Sequence, residues 1–180
     1  MPHLLEPGFV LRPFTAADAS SFAEGVRESM ATVGKWMTWA HAEYTDNDAL
    51  TWFAACEASR ANGSAHEFGI FRSDGTTFIG GAGLNQFNVP NAFCNLGYWV
   101  RESAQRQGGA LAAIRALSKF AFKELKQWRV EIVVAAGNTP SLAVARKAGA
   151  THECQAQNRL LLHGKPVAAH VFSLLPQAEA

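Results

Sequence analysis

Apolar and polar positions along the chain form patterns that predict four helices and seven strands. One helix carries an apolar face of five residues at helical spacing: Ala110, Ile114, Leu117, Ala121 and Leu125. It ends before Trp128. Short apolar or β-branched runs between glycine, proline and asparagine turns predict strands at 9–14, 66–72, 76–87, 93–100, 130–135, 151–162 and 167–175.

Capping residues mark where the other helices begin. The segments 15–18 and 45–48 fit capping boxes, which open helices running to about residues 30 and 62. Asn138 caps a further helix, which stops at Gly149. The element order predicts an α/β (α+β) fold with a mixed sheet of about six to seven strands and helices on both faces. A length of 180 residues suits a single domain, 1–180.

Composition argues against several kinds of partner. The formal net charge is +1 and there is no dense Lys/Arg run, so nucleic acid is not the expected partner. The cysteines Cys56, Cys94 and Cys154 form no pair, and the six histidines lack metal-ligand spacing. Residues 1–9 lack the apolar stretch of a signal peptide. We therefore expect a cytoplasmic protein without a metal or a membrane partner, either a monomer or a homodimer.

A glycine-containing turn lies where a strand passes into the helix of the apolar face. It reads Gln105, Arg106, Gln107, Gly108, Gly109, Ala110. The first N–H groups of a helix have no partner within the helix and lie at the positive end of its dipole, so they can bind a pyrophosphate. Neither of the commoner nucleotide patterns, G-x-x-x-x-G-K-[ST] or G-x-G-x-x-G, is present.

The turn matches Q-x-x-G-x-A, and the sequence thereby resembles the GNAT superfamily of N-acetyltransferases. A second segment, from Asn138 through Ser141 to Gly149, resembles the second cofactor motif of Rim-type enzymes, which acetylate the amino termini of ribosomal proteins. The resemblance covers nearly the whole chain and implies a single-domain GNAT fold. It also implies acetyl-CoA as acyl donor, bound by the 105–110 turn and by Asn138 and Ser141.

The resemblance further assigns roles in acetyl transfer. Backbone N–H groups around Tyr98, Trp99 and Val100 would polarise the acetyl group, although both aromatic side chains could simply pack in the core. Many GNAT enzymes protonate the leaving thiolate with a tyrosine, but Ala145 stands at that position here. Ser141 becomes the candidate general acid, and the alternative for it is a purely local role at the helix start.

The general base is not identified by the resemblance. Rim-type enzymes are associated with an acidic residue on the penultimate strand, and 157–162 contains none. Four residues are unranked substitutes: Glu67, Glu102, Glu153 and His170. An α-amine, with a pKa near 7.7–8.0, is neutral far more often at pH 7 than a lysine near 10.4, so a missing base favours an amino-terminal acceptor over a lysine, and small amines of low pKa fit equally well.

Three functions remain open at this point. The first is acetylation of a protein amino terminus, plausibly ribosomal, and the second is acetylation of a small amine such as an amino acid, polyamine or aminoglycoside. The third is a non-catalytic acyl-CoA-binding module. Trp36 and Trp39, in the connector between the first two helices, are expected either to form a wall of the acceptor site or to pack in the core.

Overall fold

The computed structural model describes residues 3–176, which form one eight-stranded sheet flanked by four α-helices. The strands are β1 (Leu4–Glu6), β2 (Phe9–Arg12), β3 (His66–Arg72), β4 (Phe78–Asn88), β5 (Phe93–Val100), β6 (Arg129–Ala135), β7 (Thr151–Leu162) and β8 (Lys165–Leu174). The helices are α1 (Ala19–Glu28), α2 (Asp46–Ala61), α3 (Gly109–Lys123) and α4 (Thr139–Lys147). Residues 1, 2 and 177–180 of the predicted domain lie outside the described residues.

The strands lie in the order β1-β2-β3-β4-β5-β6-β8-β7. Neighbouring strands are antiparallel except for β5 and β6, which are parallel. This mixed sheet confirms the predicted fold class and has one strand more than the sequence predicted. The additional strand, β1, has three residues, which is too short for an alternating pattern to be visible. It joins β2 through a turn at Gly8, whose φ is +80°.

Two hydrophobic cores cover the two faces of the sheet. On one face, α3 and α4 pack their buried residues against the strands, and Ile114, Leu117 and Ala121 of α3 are at most 1% exposed. This confirms the helix face predicted from apolar spacing. On the other face, α1 and α2 pack around a cluster of aromatic rings that includes Phe22, with Trp99 from β5. Each face of β5 therefore contacts a different helical layer.

The central parallel pair is only partly closed. β5 pairs with β6 over residues 93–95, which lie opposite 129–131, and no pairing continues between these strands in the rest of their described length. β6 continues along β8 instead, while β5 stays paired with β4 as far as Val100. The sheet is thus open between the second half of β5 and β6, and this gap lies just before the turn that starts α3.

Candidate active site

The second half of β5 presents backbone donors to the gap. Arg101 donates its N–H to the Ile79 carbonyl of β4 at 2.9 Å. Since N–H groups alternate between the two sides of an antiparallel strand, those of Tyr98 and Val100 point away from β4, into the gap. The N–H of Trp99 points toward β4, and its side chain is only 8% exposed in the core. Two of the three predicted residues therefore offer a donor to an extended ligand in the gap.

The turn from 105 to 110 has the conformation of an anion-binding helix start. Arg106 and Gly108 have φ of +61° and +92°, and α3 begins at the next residue, Gly109. Gly109 is buried, and a Cβ on it would come within 2.7 Å of Ile79 Cδ1, so glycine allows close packing there. Within residues 3–176, no side chain caps the first N–H groups of α3. These donors remain available to a phosphate.

The two glutamines of the turn make contacts that hold its shape. Gln105 donates from Nε2 to the Val100 carbonyl at 3.2 Å and to Thr32 Oγ1 at 3.1 Å, which ties the turn to the end of β5. Gln107 donates to the Ser103 carbonyl at 3.1 Å and accepts a hydrogen bond from the Arg72 guanidinium. Both side chains are engaged with the protein, so we expect the backbone of the turn to contact the anion.

A negative charge at the start of α3 should separate anion binding from folding. We expect Ala110→Asp to stabilise the helix by about 0.3–1 kcal/mol through the helix dipole, because the carboxylate lies at its positive end. The same charge would repel a pyrophosphate and weaken CoA binding at least tenfold, or about 1.4 kcal/mol. Calorimetric titration with CoA and thermal unfolding test this, with Ala110→Asn as the uncharged control. Equal CoA affinity in the Asp and Asn variants would place the pyrophosphate elsewhere.

Ser141 and Tyr98 form a hydroxyl pair at the start of α4. The Tyr98 hydroxyl lies 2.9 Å from Ser141 Oγ and 3.2 Å from the Ser141 carbonyl oxygen. Burial raises the pKa of the Tyr98 phenol, so it stays protonated and can donate to the serine. The serine proton is then free to point toward the gap. The sequence identified Ser141 but assigned the Tyr98 side chain no role beyond packing.

The contacts of Ser141 separate its two possible roles. Asn138 Oδ1 accepts a hydrogen bond from the backbone N–H of Ser141 at 3.3 Å, which caps α4. The Ser141 hydroxyl has Tyr98 as its partner and does not supply the cap. Asn138 is thus the capping residue, as predicted, and the serine side chain is not needed for it. Ala145, where many relatives have a tyrosine, is fully buried.

An aromatic pocket of about 350 Å³ opens on the opposite face of β5. Gly97, Tyr98 and Trp99 line it, so it borders the strand whose N–H groups face the gap. Its other aromatic walls come from α1, α2 and the segments flanking them: Phe14, Phe22, Trp39, Tyr44 and Trp52. Trp39 and Trp52 are 42% and 41% exposed, so they stand at the entrance.

Glycines on β4 and β5 form the floor of this pocket. Gly83 lies opposite Glu67 on β3 and opposite Gly97 on β5, so the three residues form one row across the sheet. A Cβ on Gly83 would overlap Glu67 Oε2, so the carboxylate lies over this glycine. A Cβ on Gly97 would meet nothing within 4 Å in the described residues. The pocket therefore has open space at Gly97, next to the Glu67 carboxylate.

Of the four substitutes for the missing acid, Glu67 alone lines this pocket, as far as residues 3–176 show. Glu153 is bound by Arg129 and Ser173, which lower its pKa to about 2. His170 contacts His152 at 2.9 Å on the outer strands. The structure thus ranks candidates that the sequence could not. A carboxylate therefore lines the pocket although 157–162 on the penultimate strand contains none.

Glu102 and the two connector tryptophans, which the sequence also proposed for the site, lie in different places relative to the pocket. Glu102 is exposed and accepts a hydrogen bond from Thr32 Oγ1 at 3.3 Å, outside the pocket. Trp39 lies in the pocket wall, as expected for an acceptor site. Trp36 does not line this pocket; its ring lies 3.9 Å from the Cβ position of Gly137, at the loop before α4. The two tryptophans therefore contribute to different parts of the molecule.

No group of three or more His, Cys, Asp or Glu side chains in residues 3–176 is placed to hold a metal ion. None of the helices described there is both long enough and apolar enough to cross a membrane.

The open sheet between β5 and β6, followed by a helix start with uncapped N–H groups, fits a class of proteins that bind an extended donor carrying phosphates. A family model described as Acetyltransferase (GNAT) domain matches residues 9–151. The chain belongs to the GNAT acetyltransferase family, and the N-acetyltransferase predicted from the two motifs is confirmed. A non-catalytic binding module is set aside.

Similar proteins support the Rim-type resemblance. A Bacillus subtilis (strain 168) protein named "Putative ribosomal N-acetyltransferase YdaF" is 29% identical over 166 residues, covering 92% of this chain and 90% of that protein. A Vibrio cholerae structure, described as a "putative ribosomal-protein-serine acetyltransferase", is 33% identical with a TM-score of 0.86 and covers 97% of this chain and 98% of its own. Mycobacterium smegmatis RimJ in complex with CoA-disulfide has a TM-score of 0.85 at 22% identity, covering 97% and 86%, and shows the same fold.

Proposed function

We propose that the protein transfers the acetyl group of acetyl-CoA to the α-amine at the amino terminus of a protein, with ribosomal proteins as the first candidates. Both substrates would be bound together, and the amine would attack the thioester directly. One observation carries this proposal: the gap and the aromatic pocket lie on either side of β5 and share Tyr98. A donor in the gap and an amine in the pocket would meet at this residue.

Backbone N–H groups and side chains around the gap fit acetyl-CoA as the donor. The N–H groups of Tyr98 and Val100 would pair with the pantetheine arm and with the thioester oxygen, where negative charge develops. The turn 105–110 would bind the pyrophosphate through backbone N–H groups. Ser141 would deliver a proton to the leaving sulfur, with Tyr98 behind it. Mycobacterium smegmatis RimJ, which has the same fold, is described in complex with CoA-disulfide.

The character of the pocket favours an acceptor with one positive charge. Among the described residues that line it, Glu67 is the charged one, and the rest are mainly aromatic or small. A polyamine or aminoglycoside would place further ammonium groups against aromatic walls without carboxylates. A peptide amino terminus has a single α-ammonium and continues as neutral backbone past the exposed Trp39 and Trp52. The descriptions of the Bacillus and Vibrio relatives point to the same acceptor class.

A small amine is the second candidate, and the pocket volume is the observation that favours it. About 350 Å³ is near the lower limit for ligand pockets and would hold one or two residues, or one small molecule. The cytoplasmic location and the choice between monomer and homodimer remain predictions.

A release assay for free thiol separates these acceptors. We expect turnover of acetyl-CoA with a short peptide that has a free amino-terminal serine and no lysine. The same peptide with a blocked amino terminus and one internal lysine should be at least tenfold slower at pH 7, because removing a proton from a lysine ammonium with a pKa near 10.4 costs more free energy than removing one from an α-ammonium near 7.7–8.0. Mass spectrometry locates the acetyl group. Faster turnover with a single-residue amine than with any peptide would select the small-amine function.

A further inference from the structure

A row of polar side chains crosses the sheet beneath the pocket. Asn95 on β5 donates from Nδ2 to Asn85 Oδ1 on β4 at 2.9 Å, and Asn85 donates from Nδ2 to Glu67 Oε1 on β3 at 3.1 Å. Both amides thus use their N–H groups in the direction of the carboxylate. Asn95 is also the last residue of β5 that pairs with β6, so the row ends where the gap begins.

The contacts of Glu67 leave one of its oxygens unused by the protein. Oε1 accepts the hydrogen bond from Asn85, whereas Oε2 lies over Gly83 without a hydrogen bond from the described residues. Neighbouring strands are roughly 4.8 Å apart, so the open space at Gly97 lies about one strand spacing from this oxygen. A cation in the pocket could therefore contact Oε2 directly or through one water.

The charged and titratable groups that interact electrostatically with Glu67 or its neighbour His66 come from α2 and β3. Arg60 on α2 donates to the Glu67 backbone carbonyl at 2.5 Å and favours the ionised carboxylate. Burial raises the pKa of the Cys56 thiol to about 12. Burial and the charge of Arg60 lower the pKa of His66. The cysteine and the histidine are therefore uncharged at pH 7–8, and the arginine keeps a constant charge.

We propose that Glu67 binds the ammonium group of the acceptor and takes its proton, so that it is the catalytic base missing from the penultimate strand. This inference rests on the proposed acetyl transfer. Burial raises the pKa of Glu67 above that of an ordinary glutamate, which makes the carboxylate a better proton acceptor near neutral pH. Asn85 and Asn95 are positioning residues, because their hydrogen bonds fix the direction of the carboxylate.

The proton balance of the transfer is complete with these groups. The ammonium gives one proton to Glu67, which passes it to solvent. The nitrogen lone pair forms the N–C bond at the thioester carbon, and the C–S bond breaks. The sulfur receives a proton from Ser141, and the second proton that nitrogen loses replaces it through Tyr98 or water. The products are an acetamide, CoA thiol and one proton.

The test is the pH dependence of kcat/KM for the peptide acceptor in the parent and in Glu67→Gln. With the carboxylate present, the productive pair is the ionised glutamate and the ammonium form of the acceptor. We therefore expect the parent profile to be nearly flat between pH 6.5 and about 8. Without it, only neutral amine reacts, so kcat/KM of the variant should rise about tenfold per pH unit. The loss should be at least tenfold at pH 6.5 and should shrink toward pH 8.

Glu57→Gln is the matched control, because Glu57 is an exposed glutamate on α2. It should keep the parent profile. Binding of the acceptor peptide in the presence of CoA gives a second readout: Glu67→Gln should weaken binding of the free peptide severalfold and leave binding of its acetylated form unchanged.

Two results would overturn the assignment of Glu67 while leaving the acetyl transfer intact. One is a loss of equal size at every pH, which indicates a structural role. The other is a parent profile that itself rises tenfold per pH unit, which indicates that no base acts. Absence of turnover in the parent with every amine would instead remove the proposed function.

Discussion

Gly97→Val should lower kcat/KM for the acceptor at least 100-fold while leaving CoA affinity within about threefold. Gly97 marks the open space on the pocket face of β5, and a Cβ there meets nothing within 4 Å in residues 3–176. The valine methyl groups would occupy the space where the amine must lie beside the Glu67 carboxylate. A displacement of 1 Å from the reacting geometry can cost about 100-fold in rate.

The same substitution should not destabilise the fold. The φ of Gly97 is not in the left-handed region, so valine adopts this backbone without strain. Valine is also favoured over glycine in strands, and the midpoint of thermal unfolding should stay the same or rise. Gly97→Ala provides a graded control with a smaller intrusion and a smaller loss. If Gly97→Val weakens CoA binding as strongly as acceptor turnover, the pocket holds part of the donor and the acceptor must enter elsewhere.

The features that the sequence predicted best are local ones. The turn before α3 depends on Gly108 in a left-handed conformation and on the helix that follows, and both are encoded within a few consecutive residues. The cap at Asn138 is equally local, since its partner Ser141 is three residues away. Hydrophobic spacing likewise predicted the buried face of α3, because helical periodicity is visible within one segment.

The side-chain contacts of the candidate site that the sequence could not predict join distant segments. Tyr98 and Ser141 are 43 residues apart, and they meet because β5 and the start of α4 border the same gap. The tyrosine expected from the resemblance would follow Asn138 in the chain, whereas the phenol beside Ser141 precedes it. Motif position identified the serine, whereas only the packing of the sheet identified its partner.

Glu67, the proposed general base, shows the same limit. Nothing near it in sequence distinguishes it from a residue at the edge of a strand. The glycines opposite it on β4 and β5 make room for its carboxylate, and the register that brings them together is a property of the whole sheet. An acid was expected on the penultimate strand, whereas the carboxylate that lines the pocket belongs to β3.

Ser141→Ala should lower kcat about 100-fold, the lower end of the range for a positioned proton donor, with little change in CoA affinity. The capping hydrogen bond joins the Ser141 backbone N–H to Asn138 Oδ1. The substitution changes neither atom, so the free energy of unfolding should hardly change. Ser118→Ala is a matched control, because its hydroxyl bonds only to the Arg115 carbonyl on the exposed side of α3 in the described contacts. Its kcat should equal that of the parent.

Tyr98→Phe and the double variant determine whether the hydroxyls act together. Phenylalanine removes the hydrogen bond to Ser141 Oγ and leaves the ring packing in place, so kcat should fall about tenfold as the serine proton loses its orientation. If Tyr98 acts only through Ser141, the double variant should be no slower than Ser141→Ala alone, since groups that work as a unit are not additive. Multiplied losses in the double variant would mean that Tyr98 contacts the leaving sulfur independently. Unchanged kcat in Ser141→Ala would remove the pair from proton delivery and assign that step to water.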